Sequence, residues 1–206
     1  MPRLHYIHDP MCSWCWAFRP CLQRLRQRLP DYIEFGRLLG GLAPDSDQPM
    51  PEAMQQQIQA TWRRIQQRLP ETPFNFDFWR HQQPRRSTYP ACRAVIAARR
   101  IDPRQESTMI LAIQQAYYLQ ARNPSDHSVL IEIAQDLGLA GEPFARLLNA
   151  AQTQTELQGE IERCRAMGAS SFPCLVLQQG EASFWPVPVD YSSADNMLDT
   201  ISMILD

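Results

Sequence analysis

An α/β fold split by an all-helical insertion is the class that three features of the chain predict. Strand-like segments occur only near its two ends, a run of helical patterns fills the middle, and neither end holds enough strands to make a stable sheet alone. The two ends must therefore share one sheet. The expected layout is a first part of the core over residues 1–42, a helical insertion over 43–152, and a second part of the core over 153–206.

Leu4 to His8 has strand-like content, and Asp9-Pro10 stops it, because Pro10 donates no ladder hydrogen bond and restricts Asp9 to extended conformations. A helix follows from Cys12 to Leu29, free of glycine, with Leu22, Leu25 and Leu29 at helical spacing and Pro30 closing it. Ile33 to Leu39 reads as a second strand, ended by Gly40-Gly41. In the middle, Met54, Ile58, Trp62, Ile65 and Leu69 step by three and four and line one helix face. Asp102, Pro103 and Gln105 predict an N-cap, a first-turn proline and a capping-box partner for a helix towards Arg122. Val129, Leu130, Ile133 and Leu137, stopped by Gly138, and then Phe144, Leu147 and Leu148 give two more apolar stripes. Thr153 and Glu156 predict a capping box for the helix of Leu157, Ile161 and Cys164, ended by Gly168. Phe172–Gln178 and Ala182–Val187 read as strands about a turn at Gly180, and Ser192 with Asp195 caps a closing helix bearing Leu198, Ile201 and Leu205.

Composition excludes several functions. At 206 residues, 44% hydrophobic and 20% charged, with a formal net charge of -2, the chain carries no signature of a nucleic-acid or anionic-membrane partner. All 20 basic side chains are Arg, which removes a P-loop lysine, a Schiff-base lysine and a lysine general base. Residues Met1 to Asp9 leave no room for a signal peptide, and no apolar run of about 18 residues occurs, so the cytoplasm is the expected location. In that reducing compartment most of the six cysteines are expected as thiols, and only Cys12 and Cys15 form a close pair.

Cys12-Ser13-Trp14-Cys15 stands where a strand hands over to a helix. The first cysteine then meets unpaired backbone N–H groups and the positive end of the helix dipole, a position that favours the nucleophilic thiolate. Cys15, one turn on, is close enough to attack a mixed disulfide on Cys12 and release the product. Zinc is disfavoured, since a four-ligand site needs a second pair that the chain lacks.

The run Asp9-Pro10-Met11-Cys12-Ser13-Trp14-Cys15-Trp16 resembles the motif of DsbA-like and FrnE-like proteins, predicted disulfide isomerases of the thioredoxin superfamily. The resemblance implies a thioredoxin fold interrupted by a helical insertion, in agreement with the block layout. It also implies a cis-proline loop facing the cysteine pair, matched by Ser171-Phe172-Pro173. Cys12, Cys15 and Pro173 are then the expected catalytic residues, and Ser13, Trp14 and Phe172 the expected substrate contacts, Phe172 through its backbone. Two positions depart from the pattern. Trp14 stands where DsbA has histidine, which predicts a less extreme oxidant. No acidic residue lies in Leu4 to Ile7, which leaves His8, Asp9 or water to take the proton of Cys15.

The remaining candidates have plainer readings. Cys92, Cys164 and Cys21 are expected as buried apolar side chains, and strand alternation turns Cys174 away from the face of Pro173. Trp16 is expected in the core, and the Arg pairs at 63–64, 85–86 and 99–100 on solvated helix faces. The sequence thus predicts an enzyme exchanging disulfides with protein or peptide thiols, reductase or isomerase work being favoured by a reducing compartment, with glutathione a further thiol partner. No metal and no bound organic cofactor is expected, the Cys12–Cys15 disulfide itself being the redox carrier. Two rivals are a glutathione-dependent transferase resembling the kappa class, in which serine usually replaces the first cysteine, and a non-catalytic binding module with an inert pair.

Overall fold

The structure is a computed structural model that describes residues 1–206. The chain forms two compact units, one of residues 1–40 with 160–206 and one of residues 41–159.

The first unit is built on a four-stranded sheet of order β2-β1-β3-β4, from β1 (Arg3–His8), β2 (Glu34–Leu39), β3 (Cys174–Gln179) and β4 (Ser183–Val187). β1 runs parallel to β2, with Ile7 opposite Leu38, and antiparallel to β3, with Ile7 opposite Cys174. The parallel pair requires a crossover, which α1 (Ser13–Arg28) supplies. Alternation along the strands then decides what each face meets. Leu4, Tyr6, Leu175 and Leu177 pack with Phe18, Cys21 and Leu25 of α1 and with Met197 and Ile201 of α9 (Ala194–Leu205). Ile7, Leu38 and Val176 face the other way, onto Cys164 of α8 (Ala151–Ala166). Each fully buried Leu or Phe of this kind stabilises the fold by roughly 1.5–3 kcal/mol. Pro20 lies inside α1 and removes one helical hydrogen bond, yet the helix continues to Arg28.

The second unit is helical: α2 (Glu52–Arg68), α3 (Phe78–His81), α4 (Tyr89–Ile101), α5 (Gln105–Tyr118), α6 (His127–Asp136), α7 (Gly141–Leu148) and the first part of α8. Trp62 is fully buried and ringed by aromatic side chains, with Phe74 at 4.9 Å, Trp79 at 5.1 Å and Tyr118 at 5.5 Å between centroids. No helix of the chain is long and apolar enough to cross a membrane.

Several helix ends differ from expectation, each for a polar reason. Asp102 ends α4 and binds the Arg104 side chain, so α5 starts at Gln105 without a capping box, and it stops at Tyr118. α8 begins at Ala151, which puts Thr153 inside the helix with its hydroxyl buried and unpartnered; Glu156 binds Arg99 and Arg100 instead. The cap of α9 is Ser193, because Ser192 is held by Asp190. Nor are Arg85, Arg99 and Arg100 freely solvated: Arg85 pairs with Asp126, and Arg99 bridges Glu106 and Glu156.

Candidate active site

The turn between β1 and α1 is organised by Asp9. Its Oδ1 accepts the Met11 N–H at 2.7 Å, and its carbonyl accepts the Cys12 N–H at 3.0 Å. Cys12 is thereby fixed as the N-cap of α1, in an extended conformation (φ -80, ψ 116). Its carbonyl accepts the Trp16 N–H at 3.0 Å and its Sγ accepts the Cys15 N–H at 3.4 Å. The helix terminus therefore directs an otherwise unsatisfied donor at the sulfur, and negative charge there is favoured by the dipole.

Cys12 is 6% exposed, and so buried despite its place at the helix end; Cys15, at 1%, is more buried still. The loop before β3 accounts for part of that cover, since the Cys12 thiol points at the Phe172 carbonyl at 3.5 Å. The Phe172–Pro173 bond is cis, as the sequence predicts. The two thiols are unbridged. Cys15 interacts with the Cys12 sulfur, the Asp9 backbone and the Tyr6 hydroxyl. Burial, and then the hydrogen bond to Cys12 and its charge, push the Cys15 thiol well above its usual range. At neutral pH Cys15 is a thiol held in reserve.

Ser13 opens α1, half-buried. Trp14 is also half-buried and meets Tyr191 edge-on at 5.2 Å, whereas Trp16 is buried in line with the core expectation, with Arg19 over its ring at 5.2 Å. Cys174 is half-buried and lies with Cys164 in the apolar cluster on the opposite face of the sheet. His8 is 1% exposed, and neither ring nitrogen has a hydrogen-bond partner. Burial first, and Arg37 second, lower its pKa to about 3, which keeps it neutral.

Three residues of the site escaped the sequence reading: Tyr6, Gly40 and Tyr191. Alternation places Tyr6 on the sheet face under α1, a signal that was available; that Cys15 lies over its hydroxyl depends on the packing of the helix. Gly40 is pinned by Phe172, 132 positions away, which no local pattern reveals.

The thioredoxin family profile matches residues 5–183. Among solved structures, a protein from Nitrosomonas europaea assigned as a disulfide isomerase superposes with a TM-score of 0.85, at 26% identity over 99% of this chain and 97% of its own. The cytosolic disulfide reductase DsbM of Pseudomonas aeruginosa superposes with a TM-score of 0.78, at 25% identity over 98% of both chains, and a structure of it with GSH gives 0.75 at 24% over the same shares. A curated relative, the ClpXP adapter protein SpxH of Bacillus subtilis, is 26% identical over 194 residues, 92% of this chain; this chain spans 63% of that adapter's length. The chain belongs to the thioredoxin family, as a DsbA-like member whose fold is shared with thiol–disulfide oxidoreductases.

Proposed function

We propose that the protein is a thiol–disulfide oxidoreductase in which Cys12 attacks a disulfide of a protein or peptide and Cys15 resolves the mixed disulfide. One observation carries the reading: Cys12 Sγ lies between a donated helix-terminal N–H at 3.4 Å and the Phe172 carbonyl at 3.5 Å. The first group favours a thiolate, and the second, which accepts the Cys12 S–H in the reduced protein, is a backbone acceptor that an extended peptide engages in its place. Trp14 and the backbone of Phe172 hold that peptide, with Ser13 at its edge and Pro173 shaping the loop. The pair itself carries the two electrons, so no bound cofactor enters the cycle. Likeness to a cytosolic reductase supports the reducing direction and a cytoplasmic site, and the GSH-bound form of that neighbour supports glutathione as the thiol that regenerates the pair. In the test, Cys15→Ser is used to trap substrates by mass spectrometry, and the parent is assayed for reduction of a protein disulfide with glutathione. Trapping at Cys12 together with turnover by the parent is expected. Absence of both would sink the reading.

A second reading is favoured by the adapter relative: the chain binds a protein partner and its dithiol is dispensable. A Cys12→Ser/Cys15→Ser double variant separates the two. Undiminished capture of a partner by the double variant supports the adapter; capture that depends on Cys12 supports exchange.

A further inference from the structure

Resolution requires Cys15 to become a thiolate in a place that opposes it. The residue is 1% exposed, and a buried sulfur anion is costly unless donors surround it. Besides the Cys12 sulfur, two groups hydrogen-bond with this sulfur. One is the backbone of Asp9; the other is the hydroxyl of Tyr6, a side chain 4% exposed whose ring is stacked on His8 with centroids 4.8 Å apart and planes within 1°. Phe18 also packs near the Tyr6 ring, with centroids 6.0 Å apart and planes tilted by 48°. The ring thus has two aromatic neighbours, and its hydroxyl hydrogen-bonds with the resolving cysteine.

We propose that Tyr6 is a catalytic hydrogen-bond donor to Cys15 Sγ that stabilises the resolving thiolate, and that His8 acts as a positioning residue by stacking on the Tyr6 ring. The inference rests on the exchange chemistry proposed above. In the step concerned, Cys15 loses its proton to water and its thiolate attacks Cys12 Sγ. The Cys12–substrate S–S bond breaks as the Cys12–Cys15 bond forms, and the departing substrate thiolate takes a proton from water. The pair is oxidised by two electrons and the substrate disulfide is reduced by two; Tyr6 keeps its proton throughout.

The surroundings fit a neutral donor better than a proton acceptor. Tyr6 faces Cys15, Cys12 and Tyr191, and burial holds its phenol well above the usual range, so it does not ionise in the working range of the enzyme. His8 faces Arg37 and stays neutral, with a pKa of about 3. The Asp9 carboxylate also faces Cys15 and opposes its ionisation, which leaves the hydroxyl and the Asp9 N–H to offset it. A hydrogen bond to a charged group of this kind is worth roughly a ten- to hundred-fold factor in rate if it forms fully with the charge.

The test uses the full chain and Ellman's reagent in stopped flow. Attack by Cys12 releases a first thionitrobenzoate, and resolution by Cys15 releases the second. Tyr6→Phe is expected to slow the second release about ten-fold or more relative to the first, and to move the pH midpoint of the second release upward. Replacement of Tyr6 by 3-fluorotyrosine, a stronger donor of nearly equal size, is expected to move that midpoint downward and guards against a folding defect in the phenylalanine variant. A second release at the parental rate in Tyr6→Phe, or a midpoint unmoved by fluorination, overturns the proposal. If the parent itself gives no second release, the exchange chemistry fails, and that outcome is distinct from both.

Discussion

The ring of Phe172 fills the space that a Cβ on Gly40 would need, with Cε1 and Cζ the atoms in the way. Gly40 also donates its N–H to the His8 carbonyl at 2.7 Å. The ends of β1 and β2 and the loop before β3 are therefore locked at one point, and the Phe172 carbonyl beside Cys12 depends on it. Gly40→Ala should displace the Phe172 ring, at an overpacking cost of about 1–3 kcal/mol in urea unfolding. Turnover of a protein disulfide should fall several-fold more than alkylation of Cys12 by a small reagent. Equal losses in both assays would show that Phe172 does not position substrate.

The thiols should separate cleanly by reactivity. Cys12 has the helix terminus and is the more exposed of the pair, whereas burial pushes Cys15 well up and the Cys164 thiol up to about 12. Brief exposure of the reduced protein to iodoacetamide at pH 7, read by peptide mass mapping, should modify Cys12 first and leave Cys15 and Cys164 unmodified. Labelling of Cys15 ahead of Cys12 would reverse the assigned roles.

How far the sequence discloses this arrangement depends on the range of each interaction. The strand–helix handover, the cysteine pair at the helix terminus and the stripes of α2, α6 and α7 are local patterns and were legible. Helix starts were not, because Asp102, Glu156 and Ser192 each have a competing polar partner in Arg104, Arg99 or Asp190, and such choices are made in three dimensions. The same holds for the Arg runs, which look solvated until Glu106, Glu156 and Asp126 are brought to them by folding. Tyr6 is the instructive omission. No carboxylate stands on β1 to mark the site, and the residue meeting Cys15 is a phenol, which donates to a thiolate and does not accept its proton.

Within the helical unit, stability should depend on one partly buried ion pair. The Arg93 side chain is 9% exposed and grips both carboxylate oxygens of Asp45 at 2.7 and 2.8 Å, with Gln154 Oε1 at 2.7 Å. Asp45→Ala leaves that buried guanidinium with only the neutral Gln154, and should cost about 1–3 kcal/mol, discounted because Asp45 is half exposed. The hydrogen bond from Arg93 lowers the Asp45 pKa, so the pair's contribution is present above the unfolded value of 3.8 and fades as pH falls further. Chemical denaturation at pH 7 and pH 3 should show the variant's deficit shrinking at the lower pH. A deficit of the same size at both would assign the loss to packing.

The last expectation concerns His8 and acid. Unfolded, its imidazole titrates near 6.5; folded, it titrates at about 3 because burial first, and Arg37 second, disfavour the cation. Between those values the unfolded chain binds a proton that the folded chain refuses, so protonation draws the equilibrium towards unfolding. Stability from this site is complete above pH 6.5 and should fall by about 1.4 kcal/mol per pH unit as acid is added through the window. His5, also lowered by burial, adds a loss of the same sign. His8→Phe keeps an aromatic ring on Tyr6 and removes the titration together with two buried, unpartnered nitrogens. The variant should be at least as stable as the parent at pH 7, and more stable by about 2 kcal/mol at pH 5 relative to that baseline. Unfolding free energies measured at half-unit steps from pH 7 to pH 4.5 decide it. If parent and variant lose stability in parallel over that range, His8 is hydrated or protonated in the folded state, and its assignment as a neutral stacking partner of Tyr6 fails.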